Sequence, residues 1–509
     1  GVAEFLAGLL NRAVTPVLAV GEAVIELSPR WLTDWAIAVF GTTNKAVLIG
    51  GVLVVVAVVA AAIGVLASRR RGPGLLAAAA LGAVATAAVW SRPETGGSDM
   101  LTAVVGSCVA VAVLHLLAGR AAAARDSADS AATSAEPDRE LVTVTRAEAA
   151  ADRRSFLRAV GAAAALAVVA GVAGRAMSGL RRSVEASRDV LLEPRALPRE
   201  LPTPSPPPGA DLTVPGAEPW RTPNPEFYRI DTALAVPLVH PDEWRLRVHG
   251  MVDQEVELDF DGLVELGLVD RWVTLCCVSN PVGGDLVGNA MWTGVPVATI
   301  LGLAGPQGGA DAVLSTSHDG WNCGTPLEVL TDGRDSLFAV AMNGEPLPVE
   351  HGFPVRMVVP GLYGYVSATK WVVDLEVSRF DQFTAYWTSR GWAERGPVKV
   401  SSRIDVPHAG SNVSAGRVPV AGVAWAQHRG IDAVEVRVDG GDWQRADLGE
   451  VPSADTWRQW RWEWDATPGR HQLEVRAVTA DGETQTGESA PPAPDGATGW
   501  HAVDVDVSG

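Results

Sequence analysis

The side chains best suited to chemistry are Cys276 and Cys277, adjacent in the segment TLCCVSN and followed by the turn-forming run PVGGD. A thiolate is a strong nucleophile and a soft, anionic metal ligand, whereas a free cysteine in an apolar setting is a small core hydrophobe. The dipeptide alone leaves both readings open. The other two cysteines, Cys108 and Cys323, stand far from this pair, and four cysteines cannot form a disulfide framework for 509 residues. No C-x-x-C pair suits zinc and no C-x-x-C-H site for covalent haem occurs.

The elements that must position this pair lie in a chain of two contrasting halves. Formal net charge is −18 and no basic stripe is interleaved with aromatics, which argues against a nucleic-acid partner and for small molecules or proteins. Hydrophobic residues make up 47% of the chain and are concentrated near its start, so membrane spans are expected there. The uncharged run Ala46–Ser68 is long enough to cross a hydrocarbon core of about 30 Å. Leu75–Trp90 and Met100–Gly119 follow, giving three transmembrane helices within 44–119. Arg69, Arg70, Arg71, Arg120 and Arg125 mark the cytoplasmic ends, which puts the amphipathic stretch 1–43 outside the cytoplasm and implies a lost span or signal before Gly1.

Residues 120–152, rich in Ala, Ser and Asp, read as a flexible cytoplasmic loop. DRRSFLRAVGAAAALAVVAGVAG then resembles a twin-arginine export signal on Arg153 and Arg154, with a signal-anchor helix over 153–175. Such a signal exports folded domains, commonly because a cofactor is loaded first. A membrane haem of the b type needs two axial imidazoles, and His115 is the only histidine inside a predicted span, so no haem is expected in this chain.

Residues 176–217 read as a helix extension and a Pro-rich tether, after which two folded domains are expected. Over 218–396, strand-like runs such as WRLRVHGMV and PVRMVVPG alternate with short helical ones such as FDGLVELGL, an α+β pattern. Over 397–509, Val434, Val436 and Val438 alternate into a Gly-Gly turn, as in an antiparallel β-sandwich of immunoglobulin-like size.

The segment TLCCVSN, WTGV from Trp292, MNGEPLPVEHGFPVRMVVPG from Met342 and SATKW ending at Trp371 resemble, in order and spacing, the sulfite oxidase family of molybdopterin-dependent oxidoreductases, in its membrane-anchored, twin-arginine-exported bacterial branch. The sandwich, with GVAWAQHRG and VRVDGGDW, is similar to that family's C-terminal dimerisation domain, which leaves a homodimer open. The resemblance implies a molybdenum-molybdopterin cofactor with Cys277, at the family's T-L-x-C-x-G-N cysteine, as the metal ligand. Cys276 faces the opposite side if the segment is extended. It implies further that His351, Arg356, Ser367 and Lys370 bind the cofactor phosphate, and that Asn280 and the FYRID segment Phe227–Asp231 contact the pterin, Arg229 of that segment lying about one residue from the family arginine.

The chain departs from the sulfite-oxidising pattern beside the metal. Pro281 and Val282 stand where that pattern has two arginines, Ser279 replaces its glycine, and Trp321 replaces a tyrosine, while Arg429 matches an arginine lent by the sandwich. The fold expected is therefore N-terminal transmembrane α-helices, an α+β molybdopterin domain and an immunoglobulin-like β-sandwich. The expected activity is two-electron oxygen-atom transfer outside the cytoplasm, with neutral S-oxide reduction favoured over sulfite oxidation. Electrons would pass through a separate carrier, a quinone or a cytochrome. The alternative is a non-catalytic envelope or adhesion module built on the same fold, separable by molybdenum content.

Overall fold

The computed structural model describes residues 2–9, 16–28, 32, 39, 44–92, 97–133, 139–177, 180–192 and 197–509. They form two compact units, Gly1–Ser183 with Ala233–Leu238, and Val184–Thr232 with Val239–Gly509.

The first unit is helical: α1 (Val2–Leu9), α2 (Pro16–Leu27), α3 (Asn44–Arg69), α4 (Arg71–Trp90), α5 (Gly97–Thr133) and α6 (Arg139–Met177). Within the last four, Val47–Arg69, Arg71–Trp90, Asp99–Ala123 and Arg154–Ala173 are each long and apolar enough to cross a membrane. Their valines and leucines, among them Val54, Val58, Leu76 and Val168, stand exposed, a surface suited to lipid. Small residues let helices approach: a Cβ on Gly82 would lie 2.8 Å from that of Ser107, whose Oγ donates to the Ala103 carbonyl at 2.8 Å. Arg125 donates to the Ser68 carbonyl, which brings the arginine-bearing ends of α3 and α5 together.

Two expectations change. The predicted loop 120–152 is helical wherever it is described, because α5 runs on to Thr133 and α6 begins at Arg139. Alanine, the best helix former, outweighs the scarcity of apolar side chains there. The start of the tether, 193–196, lies outside the described residues, as do parts of 1–43 and the Arg153 side chain. The rest of the tether is no free spacer. Ala210 is fully buried, Glu450 N–H donates to the Gly209 carbonyl at 2.9 Å, and Gln459 receives the Leu212 N–H at 2.7 Å. Extended proline-rich backbone keeps its carbonyls free, and the folded domains use them.

The second unit begins with α7 (Leu180–Val190), which straddles its boundary, and then carries two domains. The first has two five-stranded sheets, one mixed through the parallel β1–β10 pair and one antiparallel throughout. One runs β2 (Val256–Asp259), β1 (Arg245–Gly250), β10 (Val372–Ser378), β5 (Ala312–Ser317), β6 (Asn322–Pro326). The other runs β3 (Val269–Cys276), β4 (Val287–Pro296), β7 (Leu337–Met342), β8 (Glu345–Pro346), with β9 (Arg356–Val358) also on β7. Short helices α8 (Phe260–Glu265), α9 (Val297–Ala304) and α10 (Leu327–Thr331) fill the connections. In β1 the alternation is legible: Leu246 and Val248 are fully buried, while Arg245 and Arg247 are exposed.

The second domain is a sandwich of a four-stranded and a five-stranded sheet, with Val434, Val436, Trp460, Leu473, Val475 and Val505 in its core. It braces the back of β3. Thr274 N–H donates to the Asp455 carbonyl at 2.9 Å, Trp457 N–H donates to Thr274 Oγ1 at 2.7 Å, and Gln427 donates to the Thr274 carbonyl at 3.0 Å. Buried bonds of this kind fix the strand that ends at Cys276.

Candidate active site

Strand β3 pairs with β4 through Cys276 opposite Val287, and the chain leaves the sheet at Cys277. Three bonds close the loop that follows. Cys277 N–H donates to the Leu286 carbonyl at 2.9 Å, Asn280 N–H donates to the Cys277 carbonyl at 3.1 Å, and Leu286 N–H donates to Asn280 Oδ1 at 2.9 Å. From the sandwich, Arg403 donates to the Gly284 carbonyl at 3.0 Å and holds the far side. The two sulfurs part company here. Cys276 is buried in the sheet, and Cys277 lines a cleft with about 930 Å³ of empty space, part of it open to solvent. Burial pushes the Cys277 thiol up, against hydrogen bonds from Ser279 that favour the thiolate.

The cleft wall opposite is cationic. Arg356 and Lys370 face each other across an isolated β-bridge, a pairing that sets two side chains on one face. Gly352, at φ +110°, makes room: a Cβ there would meet the Arg356 Cβ at 2.9 Å and the Lys370 Cβ at 3.2 Å. Lys370 Nζ donates to Asp231 at 2.7 Å and to the Glu350 carbonyl at 3.2 Å. Arg356 is 5% exposed, bonded to the His351 and Met357 carbonyls, and its guanidinium lies 5.0 Å from the Trp292 ring centre. Among the described residues no carboxylate forms an ion pair with it.

Burial dominates the electrostatics. It lowers Arg356 to about 10, and it lowers Lys370 to about 8 against the opposing pull of Asp231. Burial, reinforced by those two cations, lowers His351 to about 4, so its imidazole is neutral at physiological pH. A like-charged, desolvated pair is costly unless an anion completes it. Ser317 Oγ, buried in the same wall, has no hydrogen-bond partner among the described residues. The thiol, the buried cations and the orphaned hydroxyl fit a molybdopterin, whose metal takes a soft sulfur ligand and whose phosphate takes Arg and Lys.

Cys277, Trp321, His351, Arg356 and Lys370 therefore line one cleft. Asn280, Ser367, Arg229 and Arg429 do not. The Asn280 carboxamide closes the ligand loop, and Ser367 Oγ donates to the Tyr363 carbonyl at 3.0 Å. Arg229 pairs with Asp231 at 2.9 Å at the surface. Arg429 is held within the sandwich by Asp481 and Glu483 at 2.7 and 2.6 Å. Sequence reasoning missed Ser317, Tyr365, Trp387 and Trp392, all of which line the cleft. Phe227, Tyr228 and Asp231 of the FYRID segment line the cleft, and Trp387 and Trp392 stand in YWTSRGW, a dense aromatic run. Burial, then the nearby thiols, hold the Tyr228 phenol well above its ordinary range, so it stays protonated.

Comparison with known proteins agrees with this chemistry. Residues 233–387 match the oxidoreductase molybdopterin binding domain, and residues 401–475 match a bacterial Ig domain. The human mitochondrial sulfite oxidase is 30% identical over 313 residues, covering 52% of this chain and 56% of its own length. The chain thus spans little more than half of that relative. An uncharacterized oxidoreductase of Bacillus subtilis, YuiH, is 33% identical over 154 residues, covering 30% of this chain and 74% of its own length. The sulfane dehydrogenase SoxCD of Paracoccus pantotrophus superposes with a TM-score of 0.47 at 23% identity, over 54% of this chain and 78% of that one. With both domains matched and most of the Bacillus relative covered, the chain belongs to the sulfite oxidase family of molybdopterin-dependent oxidoreductases.

Proposed function

We propose that this chain is a membrane-anchored, extracytoplasmic oxygen-atom-transfer enzyme that reduces a neutral S-oxide in preference to oxidising sulfite. The observation that carries the preference is the distribution of charge in the cleft. Its lining cations are Arg356 and Lys370, two carboxylates, Asp231 and Asp319, line it as well, and its large apolar surfaces include Trp321, Tyr365, Trp387 and Trp392. The two cations are the ones suited to the cofactor phosphate. A doubly charged anion would then have to be desolvated against aromatic rings, which is expensive, whereas a neutral oxide needs one donor and an apolar wall.

Cys277 would hold the molybdenum, and Arg356, Lys370 and neutral His351 would hold the phosphate. When bound, the cofactor supplies a metal that accepts an oxygen atom and exchanges two electrons. The chain's own residues supply the rest. Tyr228, kept protonated, can donate to the departing oxygen. The S=O bond breaks, sulfur is reduced by two electrons, and with two protons the oxygen leaves as water. Electrons come from a separate reduced carrier. Membrane anchoring rests on the four span-length apolar helices, and sidedness on Arg153, Arg154 and the arginine-rich helix ends. Protease added to intact cells should accordingly reach the second unit.

The deciding experiment compares kcat/KM of the purified, molybdenum-loaded protein for a neutral sulfoxide with a reduced artificial donor and for sulfite with an artificial acceptor. We expect at least a tenfold preference for the sulfoxide. A preference for sulfite overturns the reading.

A further inference from the structure

Beyond the reacting centre, the cleft carries a feature that phosphate binding and oxygen transfer do not use. Tyr365, Trp392, Trp387 and Tyr386 form a chain of rings with centroids 5.8, 6.2 and 5.2 Å apart, each pair tilted or edge-to-face. Tyr365, Trp387 and Trp392 line the same cleft as Cys277, with Trp321 among the other lining residues. Trp387 and Trp392 are only half-buried, so part of each indole is left in water. Aromatic surface in that state gains when a flat apolar group covers it.

The collar is rigid by construction. Tyr365 Oη donates to the Ala393 carbonyl at 2.9 Å, and Ala393 N–H donates to the Pro494 carbonyl of the sandwich at 3.0 Å. Tyr386 N–H donates to Asn322 Oδ1 of β6 at 2.9 Å. Gly391, at φ +86°, turns the chain so that Trp392 N–H reaches the Trp387 carbonyl at 3.2 Å. Three separate parts of the second unit therefore fix the two indoles. A preformed wall loses little conformational entropy when a ligand arrives, so its contacts count almost fully toward affinity.

The nearest cation does not dilute this surface. Arg390 lies 3.6 Å from the Tyr386 ring centre and donates to the Tyr386 carbonyl at 2.8 Å, and it does not line the cleft. A small substrate such as sulfite or dimethyl sulfoxide would leave the collar unfilled.

We propose that Trp387 and Trp392 determine specificity by stacking on a planar aromatic substituent, so that the enzyme's substrates are neutral aryl or heteroaryl oxides rather than small dialkyl ones. This rests on the reaction proposed above, but its test separates the two. With the full-length, molybdenum-loaded protein, kcat/KM for methyl phenyl sulfoxide should exceed that for dimethyl sulfoxide by tenfold or more. Trp392→Ala should lose about tenfold on the aryl substrate and less than twofold on the dialkyl one, and Trp392→Phe should recover most of the loss. Equal losses on both substrates would make the collar merely structural, and no loss would remove it from the binding site; either overturns the proposal.

The independent measurement is calorimetric binding of methyl phenyl sulfoxide to the oxidised protein without a donor, where no turnover can occur. Binding that weakens about tenfold in Trp392→Ala supports the collar even if no reduction follows when a donor is added, in which case the reaction reading alone fails. Turnover of both sulfoxides without aryl preference sinks the collar and leaves the reaction. Absence of binding by the wild-type protein sinks the collar outright.

Discussion

In the sandwich, most arginines meet carboxylates: Arg429 meets Asp481 and Glu483, Arg437 meets Glu474 at 2.7 Å, and Arg476 meets Glu435 at 2.7 Å. Around the cleft the rule changes. Arg356 is more deeply buried than any of these and, among the described residues, meets carbonyls and an indole face, while Lys370 shares Asp231 with Arg229. Desolvating a charge without a counter-charge works against stability, so the cleft carries a cost that the sandwich avoids. That contrast separates charge used to hold a fold from charge kept for a ligand. Of the three arginines suggested by sequence resemblance, Arg356 accordingly faces the site, while Arg229 and Arg429 are held by carboxylates away from it.

The largest break in the comparison should come at the ligand itself. Cys277→Ser is expected to lower turnover by at least a thousandfold and to strip molybdenum, because a hard hydroxyl replaces a soft thiolate. Cys276→Ser, one residue away, should keep metal and turnover and lower stability by about 1–2 kcal/mol through a buried hydroxyl. Metal analysis and thermal melts of both variants check this. Metal retained at full occupancy in Cys277→Ser would remove the sulfur from the site.

The next break exchanges the two kinds of arginine. Arg356→Met should reduce pterin content at least tenfold, yet leave the apoprotein's Tm unchanged or raised, since an apolar side chain replaces a buried, unpaired cation. Arg429→Met should do the reverse, leaving pterin content and kcat/KM within twofold and costing at most about 1 kcal/mol for a partly exposed ion-pair network. If both variants lose cofactor equally, the distinction between structural and ligand-directed charge fails.

Much of this was legible in the chain. Alternation gave Val434 and Val436 to the sandwich core and Leu246 and Val248 to the first sheet, and it separated Cys276 from Cys277. What escaped was the destination of polar groups. Asn280 and Ser367 sit in the right motifs, but their hydrogen bonds go to nearby backbone, and residue type alone does not say whether a donor faces ligand or chain. Arg429 is claimed by carboxylates some fifty positions away. Trp387 and Trp392 stand in a visible aromatic run, but the bonds that hold that run, Ala393 to Pro494 and Tyr386 to Asn322, are long-range and have no local signal. In 120–133 and 139–152 the scarcity of apolar side chains favours disorder while alanine favours helix, and the helix prevails.

The smallest effect expected separates the two regions by pH. Burial holds Lys370 at about 8, so in the apoprotein its charge is present at pH 7 and lost as pH rises through that value, while Arg356, at about 10, remains charged over most of the same window. A bound anion favours the protonated lysine, so binding must take up protons once the free group has lost its own. Inorganic phosphate, which only becomes more anionic over this range, should even so bind apoprotein about three- to tenfold more weakly at pH 9.5 than at pH 7 by calorimetry. Lys370→Arg should flatten the dependence, because guanidinium stays charged. In the sandwich, Asp481 lies at about 2 because Arg429 and Thr479 hydrogen-bond its carboxylate. Its contribution is present above the ordinary carboxylate range and is lost only as pH falls toward that value, so it cannot mimic an alkaline effect. Phosphate affinity that is flat from pH 7 to 9.5 in the wild-type protein would mean that Lys370 does not face the anion, and the cleft's charge would then rest on Arg356 alone.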